Sequence, residues 1–293
     1  MHFFANLAAS ATVIISYVLS SQQAEPTLPA TVDSLLTALE ETGASLKDFQ
    51  AKIVYETFDS FGEELQRRRG TIALEGIGTA RRFAIQFNLT QIIVRDPDGT
   101  EKVTPDGSRD LWVYSDGWLT EVNLKRKSVI KRQVSEPGKQ FDPLKLGEGP
   151  FPLPIGQPKQ AVLDQFDTSL CELSDMQLLK SVTDVDGLKL VPKAGTPMAK
   201  DYSEVQVFYA KTSHALRGMH LKKADSKDTI TVLLIEPKIN AGLSDEQRGT
   251  LTQPDLTKPE WDPREWAIDI RPLRVAKPER EADAAVPAPT KND

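Results

Sequence analysis

The chain has 293 residues, enough for one large domain or two small ones, and its 39% hydrophobic and 27% charged residues are the balance of a globular protein. A formal net charge of -6 argues against nucleic acid as the main partner, because a phosphate-binding surface wants an excess of Lys and Arg. Cys171 is the only cysteine, which excludes an intramolecular disulfide and any multi-cysteine metal site and leaves a small buried hydrophobe as its expected role.

The N-terminus opens on an apolar stretch from Leu7 to Leu19, of signal-peptide length, followed by the small residues Ser20, Ser21 and Ala24. This predicts export, with cleavage after residue 20 or 24, although the preceding residues carry no Lys or Arg. The expected division is a signal peptide over 1–24, a single domain over 25–275 and a disordered tail over 276–293 that is rich in Pro, Ala and charge. No later segment reaches the roughly 18 apolar residues needed to span a bilayer as a helix.

Thr31 to Thr42 reads as an amphipathic helix, with Val32, Leu35, Leu36 and Leu39 on the 3.6 period and Gly43 where a C-terminal cap belongs. Strands are predicted at about 47–58, 65–75, 80–89, 109–115, 118–124 and 127–134. In the first, Phe49, Ala51, Ile53, Tyr55 and Thr57 lie on one side, and Gln50, Lys52 and Glu56 dominate the other. In the third, Phe83, Ile85, Phe87 and Leu89 oppose Arg82, Ala84, Gln86 and Asn88. A period of two means half-buried antiparallel strands with one apolar and one polar face. Asp116-Gly117 is a strong two-residue hairpin signal.

Phe141 to Pro158 holds five prolines and three glycines, which exclude helix and central strand. Its apolar residues, Phe151 and Leu153 among them, suit a segment packed across the end of the sheet or a rim over a cavity. Pro158 to Phe166 reads as a short helix with Val162, Leu163 and Phe166 as its apolar stripe. Strands resume near 178–185, 187–192, 203–210, 215–223 and 229–236, with Asp186-Gly187 as a further hairpin turn, and 266–273 supplies a last one. Between them, 237–262 is low in pattern apart from a turn of helix near Ser244.

Chemistry is scarce. His2, His214 and His220 are the only histidines, and zinc needs three or four converging ligands. There is no G-x-S-x-G, H-E-x-x-H or Walker loop. The reading is therefore no metal, no cofactor, no catalytic residue and no enzyme. The basic groups carry more information. Lys125, Arg126 and Lys127 sit at a predicted hairpin tip, with Lys131 and Arg132 just after, in an otherwise acidic chain. They form a candidate docking surface for an acidic partner or anionic headgroups.

From about 31 to 236 the chain resembles the periplasmic carriers that take lipoproteins to the outer membrane, the Lol-type carriers, as a divergent member. The resemblance runs in order: the N-terminal amphipathic helix, the Phe49-x-Ala51-x-Ile53-x-Tyr55 strand, a strand from Gly70 with Ile72 and Leu74, and the strand carrying Phe83 and Ile85. Asp116-Gly117 between aromatic-rich strands and Leu190-Val191-Pro192-Lys193 complete it. It implies a mainly β fold, an unclosed antiparallel β-barrel with helices and a loop covering its concave apolar face. It also implies a periplasmic protein that binds acyl chains of lipoproteins or lipids and shuttles them from an inner-membrane release transporter to an outer-membrane acceptor. The carriers have an Arg-Pro turn whose arginine holds the helical lid shut; here that place reads Leu74-Glu75-Gly76-Ile77-Gly78, with arginines later at 81 and 82.

The expected acyl-binding residues are Ile53, Tyr55, Ile72, Leu74, Phe83, Ile85 and Phe87. The expected covers are Leu35, Leu39, Phe151, Leu153, Val162 and Phe166. A same-fold envelope sensor or scaffold that binds a protein partner is the alternative function.

Overall fold

The computed structural model describes residues 31–96, 98, 100–135, 157–173 and 176–273. The N-terminal apolar stretch, the C-terminal tail and most of the proline-rich segment, with Phe151 and Leu153, lie outside them.

Helix α1 (Val32–Ala44) begins with a capping box: the Thr31 side chain accepts from Ser34 N while the Ser34 side chain accepts from Thr31 N. Gly43 does not end it. The helix runs one residue further to a Ser45 cap, because Gly43 is itself buried in the last turn. Strands β1 (Asp48–Asp59), β2 (Glu64–Glu75), β3 (Arg82–Arg95), β4 (Glu101–Pro105), β5 (Asp110–Ser115), β6 (Trp118–Asn123) and β7 (Ser128–Gln133) follow. Then come α2 (Lys159–Gln165), β8 (Phe166–Cys171), β9 (Val185–Pro192), the short α3 (Met198–Asp201), β10 (Tyr202–Ala210), β11 (Leu216–Lys223) and β12 (Thr229–Ile239). The short helix α4 (Asp245–Thr250), capped by Ser244 and Gln247, and strand β13 (Ala267–Arg271) complete the described chain.

These strands form one sheet in the order β13-β7-β6-β5-β3-β2-β1-β12-β11-β10-β9-β8, with β4 hairpinned onto β3. Strands β8 and β13 end the path without meeting, so the barrel is unclosed. Every pair is antiparallel except β13 with β7, which is parallel and departs from the all-antiparallel expectation. Side chains from β5 and β6 share one buried cluster with side chains from β9, α1 and α2, although β9 and β5 stand far apart in strand order. The sheet is therefore curled around its apolar face. This is the half-barrel that the resemblance implied.

Three sequence expectations fail locally, each for a packing reason. Residues 178–185 are not a strand: a single 3-10 turn at Gln177–Leu179 precedes β9, and Asp186-Gly187 lies inside β9. Gly187 serves close approach, not a turn. A Cβ there would strike the Cys171 carbonyl and come within 2.9 Å of the Phe208 ring. Strand β8, which follows α2 directly, gives no alternation because it is an edge strand with mostly exposed side chains. Strand β3, expected to end near 89, runs on to Arg95 to pair with β4.

The outer, convex face is not uniformly polar either. Val54, Phe208 and Leu233 lie there under Leu179 and Val182 of the 172–183 segment. Ala73, Ala84 and Val113 lie under Leu243 and Leu251 of the C-terminal extension. Gly218 makes room for this cover, since a Cβ would sit 2.8 Å from Leu179 Cδ2. Cys171 is half-buried against the first of these patches, and burial pushes its thiol up to about 11, which favours the uncharged thiol at neutral pH.

The convex face also carries ion pairs. Glu204 lies 2.8 Å from Lys189 and 2.9 Å from Lys222 and accepts from Gln206 Nε2 at 2.8 Å. Burial alone would raise its carboxyl; the three partners outweigh burial and bring it from 4.5 down to about 2. The native state therefore holds fewer protons than the unfolded chain between those values. The stabilisation is complete above pH 4.5 and is lost as pH falls to about 2. With both lysines well solvated, Glu204→Gln should cost on the order of 1 kcal/mol at neutral pH. Denaturant titrations of the two proteins should converge as the pH approaches that lower value.

Candidate functional site

The seven residues expected to line the concavity come together because strand register stacks them. Leu74 pairs with Phe83, and Phe83 with Tyr114; Ile72 pairs with Ile85, and Ile85 with Trp112; Ile53 pairs with Gly70, and Gly70 with Phe87. Registered partners share a face, so three rows run across β1, β2, β3 and β5. Ile53, Ile72, Leu74, Phe83, Ile85 and Phe87 are each 3% exposed or less, and Tyr55 is half-buried at their edge. The Phe83 and Tyr114 rings stack with centroids 5.5 Å apart.

The second half of the lining comes from β9 to β12: Leu188, Leu190, Val207, Met219, Val232 and Leu234 are buried in the same cluster. These residues were missed as site residues although their strands were legible. The signal was there, in the alternation of Leu188 with Leu190 and of Val205 with Val207.

Leu35, Leu36 and Leu39 of α1 and Val162 of α2 lie over this face, whereas Phe166, expected in the helical stripe, is the first residue of β8 and is buried in the same cluster from the sheet. One gap among the described residues lies beneath the two helices. The gap lined by Leu36, Leu39, Gln157, Val162, Leu188, Leu190, Val207 and Tyr209 measures about 10 Å³. That is room for one water at most. Here α1 and α2 pack closely on β9 and β10.

The cover is tied down at three points. Lys159, at the start of α2, pairs with Asp33 of α1, and its backbone N donates to Glu40 Oε2 at 3.3 Å. Lys193 Nζ donates to Leu163 O at 2.6 Å, meeting one of the orphan carbonyls at the end of α2. This gives the Leu190-Val191-Pro192-Lys193 stretch a mechanical role. Arg81, only 4% exposed, donates from Nη2 to Gly43 O at 3.3 Å at the end of α1. The carriers' lid lock does not carry over to Arg81 and Arg82 by position, since they come later in the chain than the family's turn. The 3-10 turn at Gly78–Ala80 brings Arg81 back under α1.

At the edge of the apolar face lies an aromatic group. Tyr55, Phe87 and Trp112 have centroids 5.1 to 5.9 Å apart. The Arg68 guanidinium sits 5.8 Å from the Phe87 centroid and 5.6 Å from that of Trp112. Its Nε and Nη2 donate to Gln66 Oε1 at 2.8 and 2.6 Å, and Nη1 lies 3.5 Å from Asp110 Oδ2. Asn123 Nδ2 donates to the other Asp110 oxygen at 2.7 Å. Burial pushes the Asp110 carboxyl up, against the opposing pull of Arg68 and Asn123. Burial also raises the Tyr55 hydroxyl, so it stays protonated at physiological pH. Arg68 belongs to the inner face by the alternation that includes Gly70, Ile72 and Leu74, a signal masked by the flanking Arg67 and Arg69.

The basic residues at 125–132 are partly engaged. Lys125 lies 3.0 Å from Asp106 Oδ1, Lys127 2.5 Å from Glu265, and Arg132 pairs with Glu121. Lys131 Nζ stands 5.2 Å from the Trp118 ring centroid, and the Arg126 backbone N donates to Asn123 Oδ1 at 2.7 Å. They do not form one bare cationic patch. A separate polar hollow of about 270 Å³ lies between Arg81, Arg82, Ser115, Asp116 and the Leu251–Gln253 segment.

Among the described residues no helix is long and apolar enough to cross a membrane, and no group of three or more His, Cys, Asp or Glu is placed to hold a metal ion. No protein-family model and no curated protein matches the sequence. Solved structures do resemble the fold. A conserved protein from Thermus thermophilus is 10% identical and aligns over 82% of this chain and 98% of its own, with a TM-score of 0.39. A proposed outer membrane lipoprotein-sorting protein domain from Vibrio parahaemolyticus is 11% identical over 76% of this chain and 98% of its own, with a TM-score of 0.33. MucB in its complex with MucA from Pseudomonas aeruginosa is 12% identical over 76% of this chain and 61% of its own, with a TM-score of 0.36.

Proposed function

We propose that the protein is a periplasmic carrier that takes up acyl chains of lipoproteins or lipids on its concave face and moves them towards the outer membrane. The observation that carries this reading is an apolar concave face whose cover consists of two short helices held by a few polar contacts. Burying one CH2 is worth about 0.8 kcal/mol, so a 16-carbon chain brings roughly 12 kcal/mol. That is enough to replace the contacts of Leu35, Leu36, Leu39 and Val162 when α1 and α2 lift. An unliganded carrier must also hide such a face from water, which the cover does. The chemistry is non-covalent, without metal or cofactor.

On this reading an inner-membrane transporter loads the carrier and an outer-membrane acceptor unloads it, with Lys125, Arg126, Lys127, Lys131 and Arg132 at the docking edge. Rim charges of that kind set association rates more than stability.

Titration with a fluorescent fatty-acyl probe tests the reading. Saturable uptake with about one to three chains per protein and a shift of the probe to an apolar emission is expected. A probe that stays in water, while the protein forms a lipid-free complex with an envelope protein, would establish the sensor or scaffold function instead.

A further inference from the structure

We infer that Arg68, set in the ring of Tyr55, Phe87 and Trp112, recognises the head of a fatty carboxylate whose tail lies along the apolar face. The inference rests on the carrier reading and names a ligand class for that site. The geometry has four parts. First, the guanidinium borders the cluster that holds Ile53, Ile72 and Ile85, so a tail on that face brings its head to Arg68. Second, Arg68 is preorganised: two rings and Gln66 hold it, and its side chain is still 22% exposed. Third, its hydrogen bonds to Gln66 leave part of the fork to a ligand. Nε and Nη2 donate to the neutral Gln66 oxygen, and the ion pair with Asp110 is long, at 3.5 Å, with Asn123 donating to the other Asp110 oxygen. A guanidinium has five N–H donors in a planar fork, so a carboxylate can be met side by side.

Fourth, the surrounding charge limits the head to a single negative charge. Asp110 and Glu121 both lie near this rim, Glu121 paired with Arg132. A doubly charged phosphate monoester would be repelled by them; a carboxylate has half the charge and fits the fork. The flat rings beside Arg68 suit the first methylenes of the tail.

The test is competition against a fluorescent acyl probe with oleate and with oleyl alcohol, at mildly alkaline pH and submicellar concentration, using the full chain and Arg68→Gln. The two ligands share a tail and differ in the head. Wild type should bind oleate about tenfold more tightly than oleyl alcohol. In Arg68→Gln the ratio should fall to about one. Should that variant fail to fold, the wild-type ratio still decides the matter, because a charge-recognised head loses its advantage as salt is raised. Equal affinities in wild type, or a ratio that survives in Arg68→Gln, would overturn the assignment and return Arg68 to a packing role against the rings. If neither ligand displaces the probe and the probe itself does not bind, the carrier reading falls, and this inference with it.

Discussion

Replacing Gly70 with alanine should lower the stability of the fold by about 3 kcal/mol or more. Gly70 sits where the register of β2 against β3 shifts, between Arg69 and Gly70, so that Arg69 pairs with Leu89 and Gly70 with Phe87. A Cβ at Gly70 would run into the Gln86 carbonyl oxygen and come within 2.7 Å of its carbon and 2.9 Å of Phe87 Cα. These are backbone atoms of a central strand, so relief requires β3 to move as a whole. The usual effect of Gly→Ala in regular structure has the opposite sign, a gain of roughly 0.5–1 kcal/mol from the restricted unfolded chain. Gly249 in α4 provides that contrast: it is exposed and a Cβ there would meet nothing within 4 Å. Urea titrations should show Gly249→Ala unchanged or slightly stabilised and Gly70→Ala strongly destabilised. Equal midpoints for the two variants would mean that the bulge is not a fixed element of the sheet. The same glycine separates Ile53 from Phe87 on the inner face, so fold and site depend on one position.

Most of the inner face was legible because it obeys one rule. Wherever a strand is buried on one side and wet on the other, alternation names its inward residues, as with Ile53 and Tyr55 or Ile85 and Phe87. The rule fails where both faces are covered. Strand β12 reads Val232, Leu233 and Leu234 without a break, because Leu233 faces the 172–183 segment and its two neighbours face the concavity. The rule fails again at the edge strand β8, which buries too little to show a period. Glycine was ambiguous for a physical reason. Asp116-Gly117 has φ of 52° and 77°, the conformation a tight hairpin requires, and was read correctly. Asp186-Gly187 has the same letters but answers to the Phe208 ring. The polar ties of the cover were the least legible, since nothing in the spacing of Arg81, Lys159 and Lys193 announces that they meet the ends of two helices.

The central claim is that α1 and α2 are a cover that acyl chains displace, and acyl loading should therefore release them. The gap of about 10 Å³ between α1, α2 and the β9–β10 side is too small for an acyl chain, so a chain seated there requires the helices to move. Their stability is local: α1 has 13 residues and α2 has 7, lengths that form stable helix only when packed against something. Once lifted, their amides should open far more often than those of β1 to β3, which are hydrogen-bonded to neighbouring strands on both sides. Hydrogen–deuterium exchange of the protein with and without saturating acyl ligand measures this directly. The account predicts roughly tenfold or faster exchange over 32–44 and 159–165 on loading, with little change in β1 to β3. Ligand bound at saturation with unchanged exchange in both helices, or with changes confined to the convex face, would contradict it.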